Sequence, residues 1–206
     1  MLQLLAATKN KHKIAEFQEM LDRNNLSVTI LSPDTIRNFP ELIENGSTFE
    51  ENASMKAAQA SRYADMAAFA DDSGLMVDAL GGAPGIYSAR YAGEGATDSD
   101  RIAKLMDAMK DQTDRTAKFV CVIALAYRGD VVATFHGEVS GKITDAPRGE
   151  NGFGYDPVFV PDGYDRTFAE LGAEIKDTIS HRACAFEQVE TFIRAELETM
   201  DDFEFV

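Results

Sequence analysis

Apolar runs and amphipathic stretches alternate along this chain from its start. Met1-Leu2-Gln3-Leu4-Leu5-Ala6-Ala7 reads as a buried first strand, and Ile14, Phe17 and Leu21 then recur at i, i+3 and i+7, which predicts a helix beginning near His12. Ser27 to Leu31 is a β-branched run, a second strand, followed by a Pro- and Asp-containing loop to about Asn45. Ser47-Thr48-Phe49-Glu50 fits a capping box that opens an Ala-rich helix reaching about Ala64. Ala67-Ala68-Phe69-Ala70 reads as a short buried strand that ends in Asp71-Asp72-Ser73-Gly74, an acidic pair at a strand end.

The second half continues the alternation. Gly81-Gly82-Ala83-Pro84-Gly85 is a loop, and Ile102, Leu105, Met106 and Met109 lie at helical spacing on a helix from about Ser99 to Met109. Lys118 to Tyr127 and Val131 to Gly141, joined by Arg128-Gly129-Asp130, predict a long antiparallel hairpin. A Gly- and Pro-containing loop covers Asp145 to Pro157, and a last helix starts near Ser180 with Phe186, Val189, Ile193 and Leu197 on one face. The tail from about residue 200, Asp201-Asp202-Phe203-Glu204-Phe205, is expected to fray. No internal repeat or low-complexity linker divides the chain. Strands alternating with helices, plus one hairpin, predict an α/β fold with a mixed sheet, a single domain over residues 1–206 with two lobes.

Composition narrows the chemistry. The chain has 206 residues, 45% hydrophobic and 27% charged, enough for one substantial core. Its 20 Lys and Arg against 35 Asp and Glu give a formal charge of -15, which repels a nucleic-acid backbone unless basic residues gather into one patch and so argues against a duplex-binding protein. A small polyanion bound with a divalent cation stays compatible, because local cations and backbone amides override a global negative field. Cys121 and Cys184 form neither a CxxC motif nor a disulfide framework and read as reduced thiols. No apolar run approaches the roughly 20 residues of a membrane span, and the opening run lacks the basic start of a signal peptide. The expectation is a cytoplasmic protein with no membrane partner.

Four constellations carry candidate chemistry. In Thr8-Lys9-Asn10-Lys11-His12-Lys13, a helix N-terminus offers free N–H groups and three lysines offer charge, a cradle for a triphosphate; the same residues read equally as a solvated turn. Asp71 and Asp72, with Glu44 as a third carboxylate, repel one another unless a cation compensates, and oxygen ligands of this kind suit Mg²⁺ or Mn²⁺; an Asx-turn at Ser73 and Gly74 is the alternative. Asn151-Gly152-Phe153-Gly154-Tyr155-Asp156-Pro157 lets backbone approach a ligand and presents Phe153 for stacking on a base, or else is a hairpin loop with an aromatic plug. Lys176 with Ser180-His181-Arg182 puts cations at the start of the last helix, where they oppose the macrodipole, so anion or carbonyl recognition explains them better than helix stability. The imidazoles of His12 and His136 receive no role of their own.

Taken together, Thr8-x-Asn10-x-x-Lys13, Ala70-Asp71-Asp72-Ser73-Gly74-Leu75, Gly81 to Arg90, Gly152 to Pro157 and Ser180-His181-Arg182 resemble, from residue 4 to about residue 195, the inosine/xanthosine triphosphate pyrophosphatase family. The resemblance implies a homodimer with a long mixed sheet flanked by helices, a central active-site cleft between two lobes, and Mg²⁺-dependent release of pyrophosphate from ITP, dITP and XTP. By resemblance Asp72 is the catalytic carboxylate and touches the metal, with Glu44 and Asp71 completing its environment and Glu41 a rival to Glu44. The turn Thr8 to Lys13 binds phosphates, with Lys56 a further phosphate-side lysine and Ser73 beside it. Phe153, Gly154, Tyr155, Asp156, Lys176, His181 and Arg182 match the nucleobase pocket. Many members carry a small residue where this chain has Lys9, which puts the freedom of that turn in question. Two other functions remain open on the residues: a pyrophosphatase for pyrimidine or modified-base triphosphates, and a non-catalytic nucleotide sensor.

Overall fold

Six strands pair in the order β2-β1-β3-β4-β5-β6 in a computed structural model of the chain. It describes residues 2–203, with side chains to residue 196. The strands are β1 (Leu2–Ala6), β2 (Val28–Leu31), β3 (Ala68–Val77), β4 (Thr116–Tyr127), β5 (Asp130–Ile143) and β6 (Phe159–Pro161); the helices are α1 (Lys11–Arg23), α2 (Phe49–Ala64), α3 (Asp98–Ala108), α4 (Phe168–Leu171), α5 (Ala173–Ile179) and α6 (His181–Phe203). β1 runs parallel to both β2 and β3, whereas β5 and β6 are antiparallel, so the sheet is mixed as expected. The frayed tail expected from about residue 200, and Leu197 on the face of α6, lie outside the residues whose side chains are described. No described helix is long and apolar enough to cross a membrane.

The chain forms two compact units: Met1–Asp72 with Val122–His136 and Ala183–Val206, and Ser73–Cys121 with Gly137–Arg182. In the first, the stripe on α1 is buried as its spacing predicts: Phe17 packs edge-on against Phe69 at 4.7 Å between ring centroids and lies 5.8 Å from Phe186 of α6. In the second, Leu75, Val77, Leu105, Met109, Phe119, Val158, Phe159 and Phe168 form one apolar cluster. Phe119 and Phe159 meet there edge-on at 4.7 Å.

Three sequence expectations shift. Thr48, not Ser47, caps α2: its hydroxyl accepts from the Glu51 amide, and Glu51 reaches back to the amide and hydroxyl of Ser47, so the box sits one residue later than Ser47 to Glu50. The hairpin turn has two residues, Arg128 and Gly129, both with positive φ (53° and 90°), the geometry that matches the twist of the flanking strands. The strand at Ala67 to Ala70 is in fact ten residues long and runs through Asp71-Asp72-Ser73-Gly74, so the acidic pair is not at its end. What ends there is the neighbour: Ala6, the last residue of β1, pairs with Phe69, and β3 continues beyond it.

β5 meets β6 through Gly141, opposite Pro161. A Cβ at Gly141 would lie 2.2 Å from the Val160 carbonyl oxygen and 2.7 Å from the Phe159 ring. Gly141→Ala is expected to destabilise the protein by about 1–3 kcal/mol through forced overpacking, read as a lowered urea midpoint with unchanged slope.

Candidate active site

In the first unit a buried ammonium gathers the carboxylates. Lys56, 5% exposed on α2, places Nζ 2.9 Å from the Asp71 carbonyl oxygen, 3.1 Å from Asp72 Oδ1 and 2.9 Å from Glu44 Oε1. An ammonium has three protons, so these three acceptors use them all. The family resemblance makes Lys56 a phosphate-side lysine; in this arrangement it is the internal counter-ion of Asp72 and Glu44. Asp71 turns to a different cation, Lys13 of α1, whose Nζ is 2.8 Å from Asp71 Oδ2.

Local sequence explains why Lys56 meets Glu44 rather than Glu41. The Gln59 amide bonds both backbone groups of Ile43 at 3.1 Å, and Asn52 Oδ1 accepts from the Gly46 amide at 2.8 Å, strapping the loop to α2 on both sides of Glu44. Asn52, 1% exposed, also donates to Asp72 Oδ2 at 3.3 Å. Neither Asn52 nor Gln59 was singled out from the sequence. The available signal was Asn52 and Lys56 at i and i+4 among the small alanines of one helix face.

Burial by itself would pull the Lys56 ammonium down, but the charges of Asp72, Asp71 and Glu44 outweigh it and hold Lys56 above the ordinary lysine value. For Asp72 burial wins: it raises the carboxyl above the usual aspartate value against the lowering effects of Lys56 and Lys13, with Glu44 adding to the rise. Asp72 is thus a more basic carboxylate than a free one. Among the described residues no three His, Cys, Asp or Glu side chains stand together as a ready metal cage. Glu44 and Asp72 nonetheless converge on one cation and are hard oxygen donors, which fits a divalent ion that keeps water and substrate oxygens in its shell.

The turn before α1 is built by its own side chains. The Thr8 hydroxyl accepts from the Asn10 amide, and Asn10 caps the helix by accepting from the amides of His12 and Lys13 at 3.0 and 3.4 Å. Lys9, Lys11 and His12 are exposed. Lys9 is not among the described positive-φ residues, so it holds its place in the turn without needing glycine's freedom.

The second unit assembles the other constellation. Asp156, 2% exposed, accepts from the Phe153 amide at 2.9 Å and from Lys176 Nζ at 2.7 Å through Oδ2. Its carboxylate braces the loop from within. Gly152 has φ 76°, and a Cβ there would meet Asp156 Oδ2 at 2.2 Å, so the loop closes over the carboxylate only with glycine. The Phe153 ring lies 4.2 Å from Lys176 Nζ and 5.8 Å from the Arg182 guanidinium carbon. Arg182, 2% exposed, donates to Ser73 Oγ at 3.3 Å, and His181 stacks on Phe119 at 4.8 Å with an 11° interplanar angle.

One placement changes here. Lys176 lies on the separate short helix α5, which ends at Ser180, rather than at the start of the last helix. Tyr155 points into the apolar cluster and donates to the Ser88 carbonyl at 2.9 Å; burial holds its phenol well above the usual range. The Ser88 hydroxyl in turn accepts from the Leu75 amide and donates to the Gly85 carbonyl, so the Gly81 to Arg90 block is the support of this loop. Gly154 is held by a residue that the sequence did not mark: its amide donates to Asp98 Oδ2 at 2.7 Å.

With this geometry in place, comparison with known proteins is informative. A sequence model of the Ham1 family matches residues 4–192. A Geobacter sulfurreducens protein named dITP/XTP pyrophosphatase is 48% identical over 187 residues, covering 90% of this chain and 93% of its own. One of the same name from Desulfotalea psychrophila is 46% identical, covering 90% and 82%. The solved structure of a HAM1 protein from Coxiella burnetii superposes with a TM-score of 0.87 at 44% identity, covering 95% of this chain and all of the other.

Removing Lys56 tests the counter-ion role. A group whose folded pKa is raised contributes stability that is present below its unfolded pKa and lost as pH rises through the folded one; this holds for Asp72 near the carboxylate range and for Lys56 in the alkaline range. Lys56→Met, measured without divalent metal, leaves Asp72 charged with only the Asn52 hydrogen bond and the charge of Lys13 to compensate it, with an expected cost of about 3 kcal/mol at neutral pH. The cost should shrink as pH falls and Asp72 takes up a proton, read from thermal melts of both proteins across that range.

Proposed function

The chain belongs to the Ham1 family, and from that premise we propose that it hydrolyses non-standard purine nucleoside triphosphates, dITP, ITP and XTP, to the monophosphate and pyrophosphate. The observation that carries the reading is the buried Lys56 cluster, which keeps Asp72 ionisable with raised basicity beside a lysine-bearing helix terminus. Simple nucleotide binding has no use for Asp72 and Glu44 converging on one buried ammonium, with Asp72 partly desolvated. The whole chain serves as one catalytic domain.

Asp72 orients the attacking water and takes up its proton as the new oxygen–phosphorus bond forms at the α-phosphorus and the bond to the departing pyrophosphate breaks. Asn52 and Lys56 fix the Asp72 oxygens in place. The N-terminus of α1, with Lys13 and the exposed Lys9 and Lys11, supplies positive potential for the polyphosphate. Glu44 and Asp72, with Asp71 completing the environment, would hold a divalent cation, Mg²⁺ or Mn²⁺; when bound, the cation supplies phosphate charge neutralisation and acidifies coordinated water.

Phe153, with Lys176 and Arg182 at its ring, reads the base. The donors of Lys176 and Arg182 suit a 6-oxo group and would face the 6-amino group of adenine donor to donor, a mismatch that discriminates strongly when buried. His181 and Ser73 complete this set. A homodimer in the cytoplasm, where a nucleotide pool is cleansed of deaminated purines, completes the proposal.

Purified protein with Mg²⁺ is expected to convert dITP, ITP and XTP to monophosphate and pyrophosphate and to leave dATP and dTTP largely intact, with all turnover lost on chelation. Orthophosphate and a nucleoside diphosphate as products would overturn attack at the α-phosphorus. Asp72→Asn should lower kcat by about 10²–10⁴-fold with the fold retained by circular dichroism. Arg182→Met should narrow the preference for dITP over dATP by about tenfold, measured as the ratio of kcat/KM values.

A further inference from the structure

The peptide groups on either side of Phe153 are both held by carboxylates, and one of these lies outside the loop. The Phe153 amide donates to Asp156 Oδ2 at 2.9 Å, and the next amide, Gly154, donates to Asp98 Oδ2 at 2.7 Å across 56 residues of sequence. Gly152 and Gly154 have φ of 76° and 64°, so the segment has wide conformational freedom unless something external fixes it.

An acidic residue at the first position of α3 has an ordinary explanation, favourable charge at a helix N-terminus. That explanation does not account for what surrounds Asp98. The terminus is already closed by a full capping box between Thr97 and Asp100, so Asp98 is not needed as a cap. Its other oxygen, Oδ1, is held by Arg101, whose guanidinium also donates to the Ala96 carbonyl at 2.6 Å. Arg101 Nε is buried without a hydrogen-bond partner, which costs stability rather than adding to it. A partly buried arginine with an unsatisfied donor is explained by what it holds, the Asp98 carboxylate aimed at Gly154.

We propose that Asp98, oriented by Arg101, is a specificity-positioning residue that fixes the backbone of the base-reading loop at Gly154 and so sets how Phe153 meets the purine. The inference rests on the reading of Phe153, Lys176 and Arg182 as the base site. Asp98 touches neither the base nor the phosphates; it acts through the loop. Binding through the loop is made equally in ground and transition states, so its loss appears in KM and in discrimination rather than in kcat.

The test uses the full chain with Mg²⁺ and dITP or dATP. Asp98→Ala is expected to raise KM for dITP about tenfold with kcat within about twofold, to narrow the dITP to dATP preference, and to speed amide hydrogen exchange in the 152–156 segment. Asp98→Asn, which keeps an acceptor for the Gly154 amide, should recover most of the KM. A merely structural role would lower the active fraction, and hence apparent kcat, at unchanged KM; that result overturns the inference. If Asp98→Ala does not fold, Arg101→Gln carries the test, since freeing Asp98 should likewise raise KM, and an unchanged KM there overturns it. Failure of the underlying reading shows separately, as absent turnover or absent purine preference in the unsubstituted protein.

Discussion

The carboxylate cluster of the first unit depends on the burial of one ammonium. Three carboxylates brought close to each other repel and, out of water, drift toward neutrality. Lys56, itself 5% exposed, supplies the compensating charge from within the protein, and its three protons go to Asp72, Glu44 and the Asp71 carbonyl. Breaking such an arrangement costs more than making it gains, because Asp72 is left largely buried with its charge. The straps from Asn52 and Gln59 follow from the same need: Glu44 lies on a loop, and only a fixed loop holds its carboxylate at Lys56.

In the second unit, the loop proposed to read the base solves a similar problem with different parts. Asp156 and Lys176 are both buried and bonded to each other at 2.7 Å, and the Asp156 carboxylate is enclosed by backbone at a glycine that no side chain could replace. Phe153 then faces two cations from other elements, α5 and α6. In both units a buried charge fixes the direction of a neighbouring group and has a partner within the protein.

Much of this was legible because it is local. Periodicity placed α1 and the Phe186, Val189 and Ile193 face of α6, and the run of β-branched and aromatic residues placed the β4–β5 hairpin. The shifts of one residue, Thr48 for Ser47 as the cap and two turn residues for three, reflect neighbouring candidates of nearly equal propensity that geometry separates. The extension of β3 through Ser73 and Gly74 is a different case. Those residues signal a turn, yet pairing within the sheet outweighs that local preference.

By itself the sequence determined the longer elements but not β6, α4 or α5, that the protein carries an excess of acid, and which residue types could handle a polyphosphate and a purine. These properties live in spacing and composition, which need no partner to be read. Tertiary structure alone decided which group meets which: that Lys56 meets Asp72 and Glu44, that the Asp71 carboxylate meets Lys13, that Tyr155 faces the core, and that Asp98 reaches Gly154. Such pairings join residues tens of positions apart, and a hydrogen bond depends on angstrom-scale geometry that emerges only when the strands and helices have packed.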